Sequence, residues 1–300
     1  MTSSNHPAAR ETSRVALVTC DLFPDLWEGD HPLRDALRSR GTEVDAVRWD
    51  DPAADWAGYD LVVIRSPWDY VPRRAGFVAW ARGVPSLLNP ADIIEWNTDK
   101  RYLGELAGAG LPVTPTDFVA PGDTWTSPES GEWVVKPTIS AGSQDTGRYR
   151  LPDQRDLAEA HVTRLQEAGR VAMIQPYLAA VDTLGESALI FTPDATGELT
   201  FSHSIRKGAM LTGPDEGNID PGSEQITPRT PTEAELDVAA RVLRHIPGGT
   251  KRLLYARIDL IPGPDGAPLL VELELTEPSL FLSESPGAAT RLADAILARL

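Results

Sequence analysis

Hydrophobic and polar positions change character abruptly at Arg14, where a polar opening gives way to the β-branched run VALVTC, the pattern of a buried first strand. The opening itself, residues 1–13, has no apolar core of the kind a secretory signal needs and reads as a disordered leader. Asp30 as a cap, Pro32 in a first turn and Gly41 past the end predict a helix over 31–40. TEVDAVRW then alternates like a strand, WAGYD turns, LVVIRS is another buried strand, 72–82 reads as a helix and VPSLL as a fourth strand. That succession predicts a small parallel α/β domain over 14–96. Ligands collect beyond the carboxyl ends of such strands, and two unusual segments fall there, Cys20–Asp30 and Arg65–Tyr70.

The second half has a different pattern. A helix over 98–109 stops at Gly110, a Gly/Pro/Ser/Thr-rich stretch covers 121–131, and the strand EWVVKP leads into the loop TISAGSQDTG. A helix at 153–168 and the strand VAMIQPYL follow, then GESALIFTP and ELTFSHSIRK, which alternate and meet at a four-residue turn. A polar loop (208–231), a helix (232–245), the strands LLYARIDLIP and PLLVELELTEP, and a final helix from Ser285 complete the chain. The fold class expected is therefore α/β plus α+β, with units at 14–96, 97–178 and 179–300. There is no internal repeat.

Composition narrows the function classes. Three hundred residues suit about two domains. With 28 Lys+Arg against 44 Asp+Glu, the formal net charge of −16 argues against a duplex nucleic-acid partner. Nucleotide binding stays open, because a few lysines and a divalent metal overrule the global field locally. No apolar run approaches the length of a membrane helix, and the single cysteine, Cys20, excludes an intrachain disulfide. A cytoplasmic protein without membrane partners is expected, and a homo-oligomer is compatible with the sequence.

The strongest local chemistry lies in LVELEL, where alternation puts Glu272 and Glu274 on one face. The preceding strand of that hairpin carries Arg257 and Asp259, also two apart. Three neighbouring carboxylates repel unless a cation sits among them, and a hard divalent ion prefers oxygen ligands; a solvated sheet face is the plain alternative. Lys136 leaves an apolar strand beneath a loop of small residues, Ser140, Gly142 and Ser143 among them, an arrangement suited to phosphate as well as to an ordinary strand end. Lys100, in the helix opening Asn97-Thr98-Asp99-Lys100, can reach phosphate from there. Gln175-Pro176-Tyr177 interrupts a strand with proline, which suits an edge or hinge. Glu186 after Gly185 is placed to bond a ribose hydroxyl. Arg206 and Lys207 end a strand ahead of the long loop, where a guanidinium can grip a carboxylate or an acyl phosphate. Asp21, Trp27, Arg65, Trp68, Asp69 and Tyr70 at the strand ends of the first domain are the substrate candidates, Arg65 for a carboxylate and an aspartate for an ammonium. The histidines lack metal-ligand spacing, His203 included, and are read as structural; neither a nucleophile-elbow serine motif nor a GxGxxG after the first strand is present.

Taken in order along the chain, Asn97–Lys100, Trp133–Pro137 with Ser140–Ser143, Ile174–Tyr177, Gly185–Ser187, and Asp259 with Glu272 and Glu274 resemble the ATP-grasp enzymes over about residues 14–300. Within that superfamily, Ser66–Tyr70, the Asn89–Asn97 stretch and Glu272–Leu280 are similar to the glutathione synthetase-like group and its actinobacterial members, a cyclo-ligase among them. The resemblance implies an ATP-grasp fold whose two α+β subdomains clasp ATP. Lys100 and Lys136 would meet its phosphates, Ser140, Gly142 and Ser143 form the mobile loop, Gln175 and Tyr177 lie at the adenine and Glu186 at the ribose. Asp259, Glu272 and Glu274 would hold Mg²⁺, two ions with Mn²⁺ able to substitute, and Arg257, Arg206 and Lys207 would stabilise the reacting groups. The third metal position is commonly Asn in the family and is Glu274 here, with Arg257 to offset the added charge. The implied activity is ATP-dependent ligation of a small-molecule carboxylate, an amino acid by the first domain's charges, to an amine-type nucleophile through an acyl phosphate, between two molecules or by ring closure. A small-molecule kinase and a non-catalytic ATP-binding protein are the alternatives at this point.

Overall fold

The computed structural model describes residues 12–215 and 224–300; the leader with His6, but for residues 12 and 13, and positions 216–223 of the polar loop lie outside them. The first sheet is parallel. Its strands β1 (Arg14–Thr19), β2 (Glu43–Arg48), β3 (Leu61–Ile64) and β4 (Leu87–Leu88) stand in the order β2-β1-β3-β4. Helices α1 (His31–Arg38) and α2 (Arg74–Gly83) supply its crossovers. β1 and β3 read VALV and LVVI because both faces of a parallel sheet are covered, and those side chains are buried. Asp30 precedes α1, but its carboxylate makes no cap bond; it pairs with Arg65 instead.

Helix α3 (Ala91–Asn97), not expected from the sequence, and α4 (Tyr102–Gly108) come next. Thr98 therefore does not open a helix. It ends α3, its hydroxyl donating to Ile94 O and accepting from Arg74. The second sheet is antiparallel, in the order β5-β8-β6-β7, from β5 (Asp117–Val119), β6 (Gly131–Pro137), β7 (Gly147–Leu151) and β8 (Ala172–Pro176), backed by α5 (Arg155–Glu167). β7 shortens the loop after β6. Its alternation, Tyr149 and Leu151 inward with arginines between, is brief and sits behind a loop-like segment.

The third sheet carries the chemistry. After the short α6 (Val181–Leu184), β9 (Glu186–Pro193) and β10 (Leu199–Lys207) form the expected hairpin. β11 (Ile226–Arg229), α7 (Glu233–Leu243), β12 (Ala256–Pro262), β13 (Pro268–Glu274) and α8 (Ala288–Leu297) complete the order β11-β10-β9-β12-β13, all antiparallel. β11 contains Pro228 and lies at the edge, where a missing N–H costs no ladder bond. One face of this sheet packs on α4 and α7 through Leu103, Leu106, Val238, Val242, Ile258 and Leu273. From its other face Ile190 joins a core shared with the first domain, in which α8 lies against α1.

Strict alternation would put Leu270 on the same side as Glu272. A bulge at Val271, where the register slips between Asp259 and Leu260, lets Leu270 join Leu273 in the core, while Glu272 and Glu274, two apart, share the other face. The free edge of β13 is closed by side chains. Asn97 donates to Leu273 O (2.7 Å) and accepts from Leu275 N (2.7 Å), while the Tyr102 hydroxyl donates to Leu273 O (2.8 Å) and accepts from Leu273 N (2.9 Å). These buried bonds pair Leu273 N, Leu273 O and Leu275 N and hold the two glutamates in place.

Candidate active site

Between the three sheets lies a cleft of about 1350 Å³. Its floor is the face shared by Glu186, Lys207, Asp259, Arg257, Glu272 and Glu274, neighbours by strand register: Lys207 opposes Glu186, Asp259 opposes Glu272, and Arg257 opposes Glu274. Charges alternate across it. Lys207 donates to Asp259 (2.8 Å) and contacts Glu186; Arg257 donates to Asp259 (2.9 Å) and to Glu274; Lys100 lies 3.2 Å from Glu272. Burial opposes the ionisation of Asp259, but Arg257 and Lys207 overcome it and hold the carboxyl below its ordinary range. Burial likewise opposes Glu272, and Lys100 with Lys136 wins. Glu274 goes the other way, pushed up to about 8 by burial and by Glu272 and Asp259, against Arg257; burial also lifts Glu186 to about 7.

Lys136 faces the cleft from the end of β6, and burial lowers its ammonium below the usual value. Among the described residues it has no carboxylate within ion-pair distance. Lys100 also donates to Ser140 O (2.8 Å), so it ties the loop after β6 to Glu272. Ser140, Gly142 and Ser143 line the cleft from that loop, Gly142 and Ser143 in the left-handed region (φ 60° and 56°). Asp145, bonded by Arg164 and Arg170, pins the loop's far end.

Gln175 and Tyr177 also line the cleft; β8 lies between β5 and β6, but β5 pairs with it only over residues 172–174, so at Gln175 and Pro176 the strand partner is β6 alone. Pro176 ends the strand, the Tyr177 N–H donates to Glu132 O (2.8 Å), and Gln175 donates to Thr116 Oγ1 (2.9 Å). The Tyr177 ring lies under the Arg148 guanidinium, 3.6 Å away.

Four expected residues are not in the cleft. Arg206 follows the period of two to the opposite face of β10 from Lys207 and donates to Leu184 O (2.7 Å) and Thr183 O. Arg65 is wholly buried, pairing with Asp30 (2.9 Å) and donating to Pro278 O (2.8 Å), so no substrate carboxylate reaches it. Asp69 accepts from the Trp49 indole (2.8 Å) and Arg73 (2.9 Å), and Asp21 pairs with Arg48 at the surface (2.5 Å). Trp27, Trp68 and Tyr70 do line the cleft. So does Glu277, which sequence reasoning left out; its signal was only its place in the Thr-Glu-Pro-Ser turn after the two glutamates. Cys20 is buried, which pushes its thiol up, and His203 Nε2 donates to Leu280 O (2.9 Å), a packing role.

The carboxylates form an all-oxygen set suited to a hard cation, yet among the described residues no three Asp, Glu, His or Cys side chains converge into a finished metal cage. Arg257, Lys207 and Lys100 occupy their oxygens. Glu272 and Glu274 face the cleft, and Asp259 lies beneath them, 1% exposed.

A family model described as the N-terminal domain of D-cycloserine synthetase DcsG matches residues 15–89. The cycloserine biosynthesis protein DcsG of Streptomyces lavendulae is 39% identical over 95% of this chain and 98% of its own length. The chain belongs to the D-cycloserine synthetase family of ATP-grasp ligases. The crystal structure of D-cycloserine synthetase DcsG superposes with a TM-score of 0.83 at 36% identity, covering 96% of this chain and 99% of that one. A RimK-domain ATP-grasp protein from Sphaerobacter thermophilus superposes at 0.61 and 17% identity over 94% and 98% of the two chains, a likeness of fold. As a member of this family the protein is an ADP-forming, C–N bond-forming ligase that uses ATP. Among the described residues no helix is long and apolar enough to cross a membrane.

Proposed function

We propose that this ligase activates the carboxylate of a small amino acid and closes it onto a nitrogen of the same molecule, giving a cyclic amide, as the name of its cycloserine-forming relative suggests. The observation that carries the reading is the set of cations and carboxylates that two sheets turn into one cleft: Lys136 at the end of β6, without an ion-pair partner among the described residues, and Glu272 with Glu274 on β13. Lys136 and Lys100 would meet the triphosphate, with Ser140, Gly142 and Ser143 closing over it. Gln175 and Tyr177 would border the adenine and Glu186 the ribose. Glu272, Glu274 and Asp259 would hold Mg²⁺, which would neutralise the charge of the phosphates.

The substrate carboxylate oxygen attacks the terminal phosphorus as its bond to ADP breaks, and the nitrogen then attacks the acyl carbon of the acyl phosphate, expelling inorganic phosphate and giving up a proton. No protein nucleophile is needed, and the work is positioning and charge neutralisation. Arg257 and Lys207 face the reacting region and supply the positive charge. The number of metal ions, Mn²⁺ substitution and oligomeric state are open to the same assays and to sedimentation.

The test is a screen of amino acids, D and L, for ADP release with and without hydroxylamine. Hydroxamate from one acid identifies the activated carboxylate. ADP release with formation of a cyclic amide, detected by mass, is expected when that acid carries its own nitrogen nucleophile. An absolute requirement for a second amine molecule would replace ring closure with intermolecular ligation.

A further inference from the structure

Three residues of one segment at the end of β3 converge on one turn beyond β13. Arg65 donates to Pro278 O (2.8 Å), the Trp68 indole to Glu277 O (3.0 Å), and the Tyr70 hydroxyl to a Glu277 carboxylate oxygen, Oε1 (2.6 Å). From β12's approach, the Tyr255 hydroxyl adds a bond to Thr276 O (2.9 Å). The turn is thus held from both sides, and Glu277 is presented at the cleft wall with a fixed backbone and one fixed oxygen.

Its other oxygen, Oε2, accepts no hydrogen bond among the described residues, and none of the cleft's cations forms an ion pair with it. Arg257 and Lys207 are committed to Asp259 and its neighbours, and Lys100 to Glu272. The surroundings are aromatic: Phe23, Trp27 and Trp68 make a cluster of edge-on rings with centroids 5.2 to 5.7 Å apart along the same wall. A carboxylate with one open oxygen beside aromatic rings is built for a cationic nitrogen, which it pairs with directly while the rings shed water and add their own attraction. Burial pushes Glu277 up to about 7, as expected of a carboxylate whose cation is missing.

We propose that Glu277, braced by Tyr70 and Trp68, recognises the protonated amine of the amino-acid substrate. This rests on the ligase reading above and replaces the first-domain aspartate as the group facing that charge. Glu277 is then the residue that separates amino acids from otherwise identical acids, and Tyr70 is a positioning residue.

The experiment measures ADP release, with hydroxylamine as acceptor, for amino acids and for the same acids without the amine, D-serine against 3-hydroxypropionate being one pair. Wild type, Glu277→Gln and Tyr70→Phe are compared. The wild type is expected to favour the amine-bearing acid by kcat/KM. Glu277→Gln should raise KM for that acid about tenfold or more, bring the two acids close to parity and leave the KM for ATP unchanged. Tyr70→Phe should give a smaller rise in the same KM with kcat nearly kept. An unchanged preference in Glu277→Gln, or an equal loss for both acids and ATP, would overturn the assignment while leaving the ligase intact. Absence of ADP release with every acid tested would overturn the ligase reading and the proposal with it.

Discussion

Replacing Arg65 by Met separates a structural clasp from a substrate ligand. The guanidinium is fully buried, pairs with Asp30, itself 3% exposed, and spans to Pro278, 213 residues away in sequence. Removing it leaves a buried aspartate without its charge partner and Pro278 O without its donor. Breaking a buried pair from one side costs about 3–5 kcal/mol. A chain of 300 residues unfolds with an entropy of about 0.6 kcal/mol/K, so Tm should fall by roughly 5–8 °C. Met also restores nothing of the bond to Pro278, so the Glu277 turn should loosen. The Asp30→Leu single variant should be similarly costly, since it strands the arginine. The double variant Arg65→Met/Asp30→Leu should recover a coupling of about 2 kcal/mol or more, because no unpaired charge remains. Thermal unfolding of the four proteins, read by calorimetry, completes the cycle. A Tm within 1 °C of wild type for Arg65→Met, combined with a rise in KM for the acid, would refute the clasp and return Arg65 to the substrate.

Two further predictions are independent of that pair. Arg206→Ala should keep kcat within about twofold, since surface changes of this kind stay near 0.5 kcal/mol, whereas Lys207→Met should lower kcat by about a hundredfold through loss of charge at the cleft. Steady-state ADP release checks both, and equal losses would contradict the opposite orientation of the two side chains. His161, buried on α5 with Nδ1 2.7 Å from the Tyr149 hydroxyl, takes its proton only near pH 4 because burial and then Arg164 disfavour the cation. The unfolded chain takes it at the ordinary value of about 6.5, so stability is full above that pH and falls as pH drops toward 4, by up to about 3 kcal/mol. Denaturation across pH 4–7 should show the slope, and His161→Phe should remove it.

What the sequence made legible was periodic and local. Alternation places Glu272 with Glu274 and Arg257 with Asp259, and the structure sets all four on one face. The same alternation, applied to Arg206 and Lys207, separates them, so that distinction was available from spacing alone. The bulge at Val271 was not, because it is a register slip between two strands and leaves no mark in the hydrophobic pattern of either one. α3 was hidden by its Asn-Pro entry, and β7 and β11 by the loop-like residues around them. Thr98 and Asp30, both suited to helix starts by type, cap none: Thr98 bonds back to Ile94 O within α3 and accepts from Arg74, and Asp30 is drawn to Arg65, a buried pair that outweighs a cap worth about 1 kcal/mol.

The substrate candidates explain the deeper limit. Arg65, Trp68 and Tyr70 were singled out together because charged and aromatic residues at a strand end suit a ligand, and the segment does face the cleft. What they bind first is the chain itself: each reaches the turn at Thr276–Pro278, more than two hundred residues on. A motif that grips a distant turn has the same composition as one that grips a substrate, and only the partner tells them apart. The consequence is that the recognition charge moves from the motif to what the motif holds. Arg257 has the same logic on the floor of the cleft. The charge of Glu274 is met by Arg257, which also pairs with Asp259. Keeping Arg257 between them offsets part of the repulsion among three carboxylates on one sheet face before any metal is bound, and what it leaves shows in Glu274, which Glu272 and Asp259 still push up.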